Sequence, residues 1–320
     1  MSQTQQVVRG DGLLVVLASE HCNLRCRFCM IGTEHGHMVR YPSDEIRRML
    51  LHFKDRCSAV TFSGGEPTLR PDLPDLVREA VSLGYSVSIV SNGRMYAYKE
   101  YCKQLIQAGV THYCVSIHAP NRALYKELTQ ADAFDQAVAG IKNLVELGQL
   151  IRTATVVSSY NYNHMREMAE LIVDLKVRGA TFRFYRPGPK VVENDAFAVT
   201  PENLNDVLRS IERAAIYVYR AGIKPSITLV PRCILPACSE FIKRYSGTLE
   251  VRNVYPRTGE EFYPKVDTGD DLDVVAGDRV RFWKEEGCRD CINDKHCDGV
   301  MIGLPFKHSP MKHSPFVLTG

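Results

Sequence analysis

The sequence Cys22-Asn23-Leu24-Arg25-Cys26-Arg27-Phe28-Cys29 places three cysteines within eight residues. It comes directly after residues 13–18, a short and continuous apolar run of leucine, valine and alanine. Such a run is typical of a parallel strand that is buried on both faces. Loops at the carboxyl ends of parallel strands are where α/β proteins place their reactive groups. We therefore predict that the three cysteines form a site at the end of the first strand.

Three thiolates this close together can bind three corners of one iron–sulfur cluster. Cysteine is the usual ligand of such clusters, and a [4Fe–4S] cluster normally takes four of them. With Cys22, Cys26 and Cys29 as ligands, one iron would stay open to an exogenous group. A structural zinc site is the alternative, with His21 or His35 as its fourth ligand. The cluster is favoured because zinc sites more often use pairs of cysteines two residues apart.

The composition is that of a soluble globular protein. The chain has 320 residues, of which 45% are hydrophobic and 24% are charged. Its net charge of +3 is too small to indicate a nucleic acid or an anionic membrane as a partner. The sequence has neither an apolar run of the roughly 20 residues that span a bilayer nor a secretion signal. Its eleven cysteines are therefore predicted to stay reduced, which indicates a cytoplasmic protein.

Short apolar runs alternate with helical patterns in the first half of the chain. After the first strand, further strands are predicted at residues 59–62, 86–90, 112–117, 152–157 and 181–185. Strand–helix units spaced roughly 25–40 residues apart predict right-handed crossovers and a parallel sheet. Six units are fewer than the eight of a closed barrel. We therefore predict an α/β fold, an open and partial (βα)6 TIM-type barrel.

The pattern changes towards the end of the chain. A barrel domain is predicted over residues 1–222 and a small cysteine-rich C-terminal extension over residues 223–303. The tail, residues 304–320, contains several prolines and is predicted to be irregular.

Further motifs follow the predicted strands in order. Gly64-Gly65-Glu66-Pro67 follows the second strand, and Asn92-Gly93 follows the third. Ser116 and His118 lie around the end of the fourth strand, and Ser158 ends the fifth. Together with the three cysteines, this order of motifs resembles the radical S-adenosylmethionine (radical SAM) enzymes, and the resemblance covers residues 12–186.

The resemblance implies a [4Fe–4S] cluster on Cys22, Cys26 and Cys29 whose open iron takes SAM. Residues at the strand ends are then expected to bind SAM: Phe28, Gly64, Gly65, Glu66, Asn92, Ser116, His118 and Ser158. Glu66 would hold the amino group of SAM by a charge-assisted hydrogen bond. Phe28 would pack near the adenine.

The resemblance also implies the chemistry. One electron from the cluster would cleave SAM to methionine and a 5′-deoxyadenosyl radical, which takes a hydrogen atom from the substrate. The protein would position these groups and exclude side reactions. A low-potential electron donor, a flavodoxin or a ferredoxin, is an implied partner. No residue is assigned a catalytic role on a substrate.

A second group of cysteines lies near the C-terminus. Cys288-x2-Cys291-x5-Cys297 resembles the SPASM and twitch extensions of radical SAM enzymes, which carry auxiliary [4Fe–4S] clusters. The full SPASM pattern continues with a cysteine where this chain has Met301. One auxiliary cluster is therefore expected, with Cys233 or Cys238 as its fourth ligand. Three ligands with an open iron, or a structural zinc site, are the alternatives.

The remaining cysteines are predicted to be small buried side chains: Cys57, Cys102 and Cys114.

A compact barrel with a short twitch-like extension resembles radical SAM enzymes that act on small molecules, and this resemblance implies a substrate of the sugar or natural-product type. Dehydrogenation, epimerisation and decarboxylation are the expected outcomes. A peptide-modifying radical SAM enzyme that uses a separate leader-recognition partner is one alternative. A non-catalytic metal-binding protein that serves as an interaction module is the other.

Overall fold

The computed structural model describes residues 12–29, 42–186, 195–242, 251–254, 282–283, 286–291 and 300–301. The strands are β1 Gly12–Ser19, β2 Cys57–Gly64, β3 Ser86–Ser91, β4 Val110–Ser116, β5 Ile151–Val157, β6 Gly179–Phe184, β7 Lys224–Thr228, β8 Val251–Val254, β9 Phe282–Trp283 and β10 Val300–Met301. The α-helices are α1 Ser43–Phe53, α2 Leu73–Ser82, α3 Lys99–Ala108, α4 Arg122–Thr129, α5 Phe134–Glu146, α6 Met165–Asp174 and α7 Leu204–Arg220. In this part of the chain, no helix is long and apolar enough to cross a membrane.

Eight of the strands form one sheet in the order β7-β6-β5-β4-β3-β2-β1-β8. Every neighbouring pair in this sheet is parallel. Each strand from β1 to β6 is followed by at least one α-helix, and both α4 and α5 lie between β4 and β5. The predicted partial (βα)6 barrel is therefore confirmed. β9 and β10 form a separate antiparallel pair.

The sheet continues past the predicted domain boundary at residue 222. β7 pairs with β6 from Lys224 to Thr228, and β8 pairs with β1 at the opposite edge of the sheet. The division into residues 1–222, 223–303 and 304–320 stays a prediction, because the tail and most of the extension lie outside the described residues.

The two faces of the sheet differ in burial because the helices cover only one of them. Side chains on the covered face, such as Leu14, Phe62 and Ile89, are fully buried in the apolar core. On the opposite face, here called the open face, Arg183 is exposed, and further small, polar or charged side chains are partly exposed: Ser88, Cys114, Ser116, Arg152 and Thr181. A polar face of this kind is suited to a polar ligand.

Candidate active site

The loop that leaves β1 carries Cys22, Cys26 and Cys29 as free thiols. Cys22 and Cys26 are partly buried, whereas Cys29 is exposed. Between them, the side chain of Leu24 is buried in the core. The apolar anchor fixes the middle of the loop and leaves its sulfur atoms near the surface.

The end of α4 holds the backbone of this loop. The N–H of Arg25 donates to the carbonyl of Thr129 at 2.9 Å, and the N–H of Arg27 donates to the carbonyl of Leu128 at 3.0 Å. The last carbonyls of a helix lack partners within the helix. The cysteine loop supplies the missing donors, so the loop and α4 fix each other's position.

Side chains from the end of β3 hold the same loop. The amide of Asn92 donates from Nδ2 to Oδ1 of Asn23 at 2.7 Å and lies 3.9 Å from Sγ of Cys22. Nη1 of Arg94 donates to the carbonyl of Asn23 at 2.5 Å. Asn92, predicted to contact SAM, thus lies beside the first cysteine.

Gly64, which ends β2, and Gly65, which follows it, allow a close backbone approach to the start of the cysteine loop. Gly65 donates its N–H to the carbonyl of Ser19 at 2.6 Å. A Cβ atom on Gly65 would lie 2.4 Å from the carbonyl oxygen of His21, closer than real Cβ contacts. Gly64 has a φ of +123°, which favours glycine. Both glycines are therefore needed where β2 meets the cysteine loop.

The carboxylate of Glu66 is fully buried and accepts hydrogen bonds from the protein itself. Oε1 accepts from the N–H of Thr68 at 3.1 Å and from its hydroxyl at 2.5 Å. Oε2 accepts from the N–H of Asn92 at 2.7 Å. Burial raises the pKa of Glu66 in spite of these donors. The side chain predicted to bind the amino group of SAM thus joins the ends of β2 and β3, and that binding role stays a prediction.

His118 and Phe28 meet at the edge of the site. Their rings pack edge to face, with centroids 4.7 Å apart. Nδ1 of His118 accepts from the N–H of Val156 at 3.1 Å, so the ring proton lies on Nε2. Burial, with a smaller effect from the charge of Arg183, lowers the pKa of His118 to about 4. His118 is therefore neutral at physiological pH.

The two predicted serines differ in their surroundings. Ser116 lies on the open face and is partly exposed. Ser158 is buried, and its N–H and hydroxyl both donate to Oδ1 of Asn161, at 2.9 and 3.3 Å. The Ser158 hydroxyl thus stabilises the turn after β5. The roles of both serines in SAM binding stay predictions.

Sequence patterns missed an aromatic group that covers Phe28. The ring of Phe197 is buried and lies 5.8 Å from Phe28 and 5.1 Å from Tyr160, with which it stacks. The Arg27 guanidinium lies 5.2 Å from the centre of the Tyr160 ring. Phe197 lies outside every predicted strand and helix, so no periodic pattern indicated that it packs on the cysteine loop.

The open face also carries two guanidinium groups near Cys114. Cys114 is paired in register with Arg152 on β5, and Arg183 lies on β6. Burial raises the pKa of the Cys114 thiol, and the charges of Arg183 and Arg152 oppose that change. Within the described residues, neither guanidinium has an acidic partner. Cys57 and Cys102 are buried as predicted, but Cys114 is only partly buried, because it faces the uncovered side of the sheet.

The donor chemistry of the cysteine loop fits an iron–sulfur cluster. Burial raises the pKa of Cys22 to about 11 and that of Cys26 to about 12, and the charge of Cys29 adds to both effects. Thiols of this kind are protonated without metal and release protons when they bind it. Across the described residues, no three side chains of His, Cys, Asp or Glu are already arranged to hold a metal ion. We therefore expect metal binding to draw the three sulfur atoms together.

The C-terminal cysteines are only partly described. Cys288 lies in a short 3-10 helix, Glu286–Asp290, and its carbonyl accepts from the N–H of Cys291 at 3.0 Å. Cys297 lies outside the described residues. Cys233 is partly buried, whereas Cys238 is fully buried with Sγ 4.0 Å from the carbonyl of Glu212. Burial raises the pKa of the Cys238 thiol to about 12.

Comparison with known proteins assigns the family. The profile of the radical SAM superfamily matches residues 16–172. A protein of Saccharolobus islandicus (strain L.S.2.15), named as a probable GTP 3′,8-cyclase, is 30% identical over 280 residues, which cover 83% of this chain and 87% of that protein. The chain belongs to the radical SAM superfamily. A probable GTP 3′,8-cyclase of Saccharolobus solfataricus is 29% identical over 85% of this radical SAM chain and 90% of its own.

Two solved structures share the fold. SuiB of Streptococcus suis bound to S-adenosylmethionine has a TM-score of 0.56 at 20% identity over 68% of this chain and 50% of its own. The structure described as anSMEcpe with bound AdoMet has a TM-score of 0.57 at 17% identity, over 68% of this chain and 63% of its own. Membership of the radical SAM superfamily makes this protein a radical SAM enzyme and implies a [4Fe–4S] cluster and SAM as its cofactors.

The reaction predicted from the sequence is wrong. Relatives that match most of the chain are named as cyclases of GTP, which contradicts dehydrogenation, epimerisation or decarboxylation of a sugar or natural product. The two alternatives are contradicted as well. The chain is a radical SAM enzyme and not a non-catalytic protein, and the relatives that match most of it are named for GTP and not for a peptide. The physical reason is that the motifs after β1 to β5 concern the cluster and SAM. They do not specify the substrate.

Proposed function

We propose that this radical SAM enzyme closes a ring within a guanosine triphosphate, as the names of its relatives describe. The single observation that carries the proposal is the 30% identity to a probable GTP 3′,8-cyclase over 83% of the chain. The name joins position 3′ of the ribose to position 8 of the guanine. The hydrogen on C3′ is removed, a C3′–C8 bond forms, and one electron and one proton complete the product, which therefore has the mass of GTP.

The charges on the open face support a triphosphate substrate. Arg152 and Arg183 both act on Cys114 electrostatically, and the described residues give neither guanidinium an acidic partner. A guanidinium offers a planar set of donors that matches phosphate oxygens. We propose that Arg183, near the carboxyl end of β6, binds the phosphates, and that Arg152 lies deeper along the same face.

We assign the cluster to Cys22, Cys26 and Cys29. When bound, it supplies the electron that cleaves SAM, and a flavodoxin or ferredoxin is the proposed source of that electron. Asn92 and Arg94 hold the cysteine loop in place through Asn23. Phe28, His118 and Phe197 form an apolar wall beside the loop that excludes water. A neutral His118 adds no charge to that wall.

We also propose an auxiliary [4Fe–4S] cluster on Cys288, Cys291 and Cys297. Cys233 is the better candidate for a fourth ligand than Cys238. The Cys238 thiol is fully buried against α7, close to the carbonyl of Glu212. Cys233 is partly exposed, so its thiol can bind a cluster iron without unpacking the core.

The test is turnover of the anaerobically reconstituted enzyme with SAM, dithionite and GTP. We expect GTP to stimulate the release of 5′-deoxyadenosine and to give a new product with the mass of GTP. Release that is indifferent to GTP, with no such product, would reject the proposal.

A matched pair of variants tests the substrate site. We expect Arg183→Gln to weaken GTP binding about tenfold or more, because a charge-assisted contact to phosphate is lost. Guanosine, which has no phosphates, should bind equally to the wild type and to Arg183→Gln. Arg166→Gln removes an exposed arginine of α6 and should leave GTP binding unchanged. Equal GTP affinities for Arg183→Gln and wild type would exclude Arg183 from the site.

A further inference from the structure

Tyr125 has a buried hydroxyl without a partner. Its side chain is fully buried, and among the described residues no group forms a hydrogen bond with its hydroxyl oxygen. A buried donor left unpaired is costly, so most such groups in proteins have a partner. The Tyr125 hydroxyl can therefore donate to a group that is not part of the protein chain, provided that such a group binds next to it.

The position of Tyr125 on α4 indicates which group that is. Leu128 and Thr129, three and four residues further on, hold the cysteine loop through their carbonyls. Residues with these spacings share one face of a helix. Burial raises the pKa of Tyr125, and of the charged groups that also act on that pKa the Cys26 thiol comes first, followed by Arg94, Glu66 and Cys22. Tyr125 therefore lies in the last turns of α4, next to the end of the helix that holds the cysteine loop.

We propose that the hydroxyl of Tyr125 donates a hydrogen bond to a sulfur of the bound cluster, either the Cys26 thiolate or an inorganic sulfide. Hydrogen bonds to the sulfur atoms of an iron–sulfur cluster are among the factors that set its reduction potential. A donor stabilises the reduced cluster more than the oxidised one, because the reduced cluster carries more negative charge. Tyr125 is thus a positioning residue that makes reduction of the cluster easier. The inference rests on the proposed assignment of the cluster to Cys22, Cys26 and Cys29.

Tyr113 provides a matched control. It is also buried, and its hydroxyl likewise has no partner among the described residues. Its ring packs on Tyr96, and the ionisable groups that act on it are Cys102 and Tyr101 rather than the cysteine loop. Replacing either tyrosine by phenylalanine removes one unpaired hydroxyl and changes little else.

The experiment is a potentiometric titration of the reconstituted full-length enzyme, followed by electron paramagnetic resonance of the signal that changes when SAM is added. We expect Tyr125→Phe to retain its iron and to lower the equilibrium constant for reduction about tenfold, the effect of losing one hydrogen bond to a charged group. Tyr113→Phe should titrate like the wild type. Without iron, neither variant should be less stable than the wild type, because each hydroxyl lacks a partner in the metal-free protein.

A second measurement does not depend on the titration. Electron–nuclear double resonance of the reduced wild type should show a cluster-coupled proton that exchanges in heavy water, and this proton should be missing in Tyr125→Phe. Iron-loaded Tyr125→Phe with unchanged potential and proton signal would overturn the role of Tyr125 alone. Wild-type protein that binds no iron at Cys22, Cys26 and Cys29 would overturn the cluster assignment as well.

Discussion

Arg70 is a buried cation whose hydrogen bonds connect the end of β1 to the starts of α1 and α2. Its side chain is 1% exposed and forms two contacts with Asp72, Nη2 to Oδ2 at 2.7 Å and Nε to Oδ1 at 3.1 Å. Nη1 donates to the carbonyl of Ala18, at the end of β1, and Nη2 also donates to the hydroxyl of Ser43 in α1. The pair therefore fixes the strand end from which the cysteine loop starts.

We expect Asp72→Asn to destabilise the protein by about 3 kcal/mol, since it leaves a buried guanidinium without its counter-charge. Asp75→Asn is the control, because Asp75 is 61% exposed and, within the part of the chain that the structure describes, forms an ion pair with Arg78 alone. That variant should change stability by about 0.5 kcal/mol or less. Chemical denaturation of the metal-free proteins measures both. Equal effects of the two variants would contradict a structural role for the buried pair.

The same ion pair makes a prediction about pH. Partial burial opposes ionisation of Asp72, but hydrogen bonds from Arg70 and Ser43 outweigh it and lower the pKa of Asp72. A carboxyl with a lower pKa in the folded state contributes its full stability above its unfolded pKa, about 3.9. That contribution is lost as the pH falls through the folded pKa. The stability difference between wild type and Asp72→Asn should therefore be constant near neutral pH and shrink below about pH 4.

At the scale of elements, the site depends on how closely β2 approaches the loop after β1. Gly65 touches the backbone of that loop at Glu20 and His21, with no space for a Cβ atom. Glu66 and Asn92 then join β2 to β3, and Asn92 reaches back to Asn23. A change at the glycine should therefore reach the cysteines through backbone displacement.

We expect Gly65→Ala to lower iron affinity about tenfold or more, in the range found when groups that support metal ligands are changed. Gly148→Ala is the control, because Gly148 has a φ of +73° but a Cβ atom added there would have no neighbour within 4 Å. It should show backbone strain and unchanged iron affinity. Iron binding by competition with a chelator measures both. Wild-type affinity in Gly65→Ala would show that the loop tolerates the displacement.

At the scale of the molecule, the two cysteine groups should bind iron independently. We expect about eight irons in the reconstituted wild type, four for each proposed [4Fe–4S] cluster, and about four in Cys288→Ala/Cys291→Ala. Cys102→Ser is the control, because it removes a thiol outside both groups and can keep the bond to the carbonyl of Tyr96, 3.1 Å from Sγ. Iron analysis with Mössbauer spectroscopy distinguishes the cluster types. About four irons in wild type, unchanged by the double substitution, would exclude the auxiliary cluster.

The sequence predicted the architecture because the relevant signals are local. Apolar runs and helical patterns gave the strand–helix order, and the cysteine motif follows β1 as predicted, whereas β2 extends to the first glycine of the glycine motif. His118, after β4, and Phe28, in the cysteine loop, contact each other, and their predicted roles in SAM binding stay predictions. The substrate was predicted wrongly, because motifs that handle SAM say little about the group that reacts with it.

The sequence by itself determined the parallel barrel, the cysteine loop after β1 and the radical SAM chemistry that these motifs imply. Only the tertiary structure decided that the Glu66 carboxylate accepts the N–H of Asn92, that Phe197 packs on Phe28, and that the charges of Arg152 and Arg183 both act on Cys114. These contacts join residues far apart in the chain, so no local periodicity records them. The unpaired hydroxyl of Tyr125 belongs to the same class, because its burial depends on how α4 packs rather than on its neighbours in sequence.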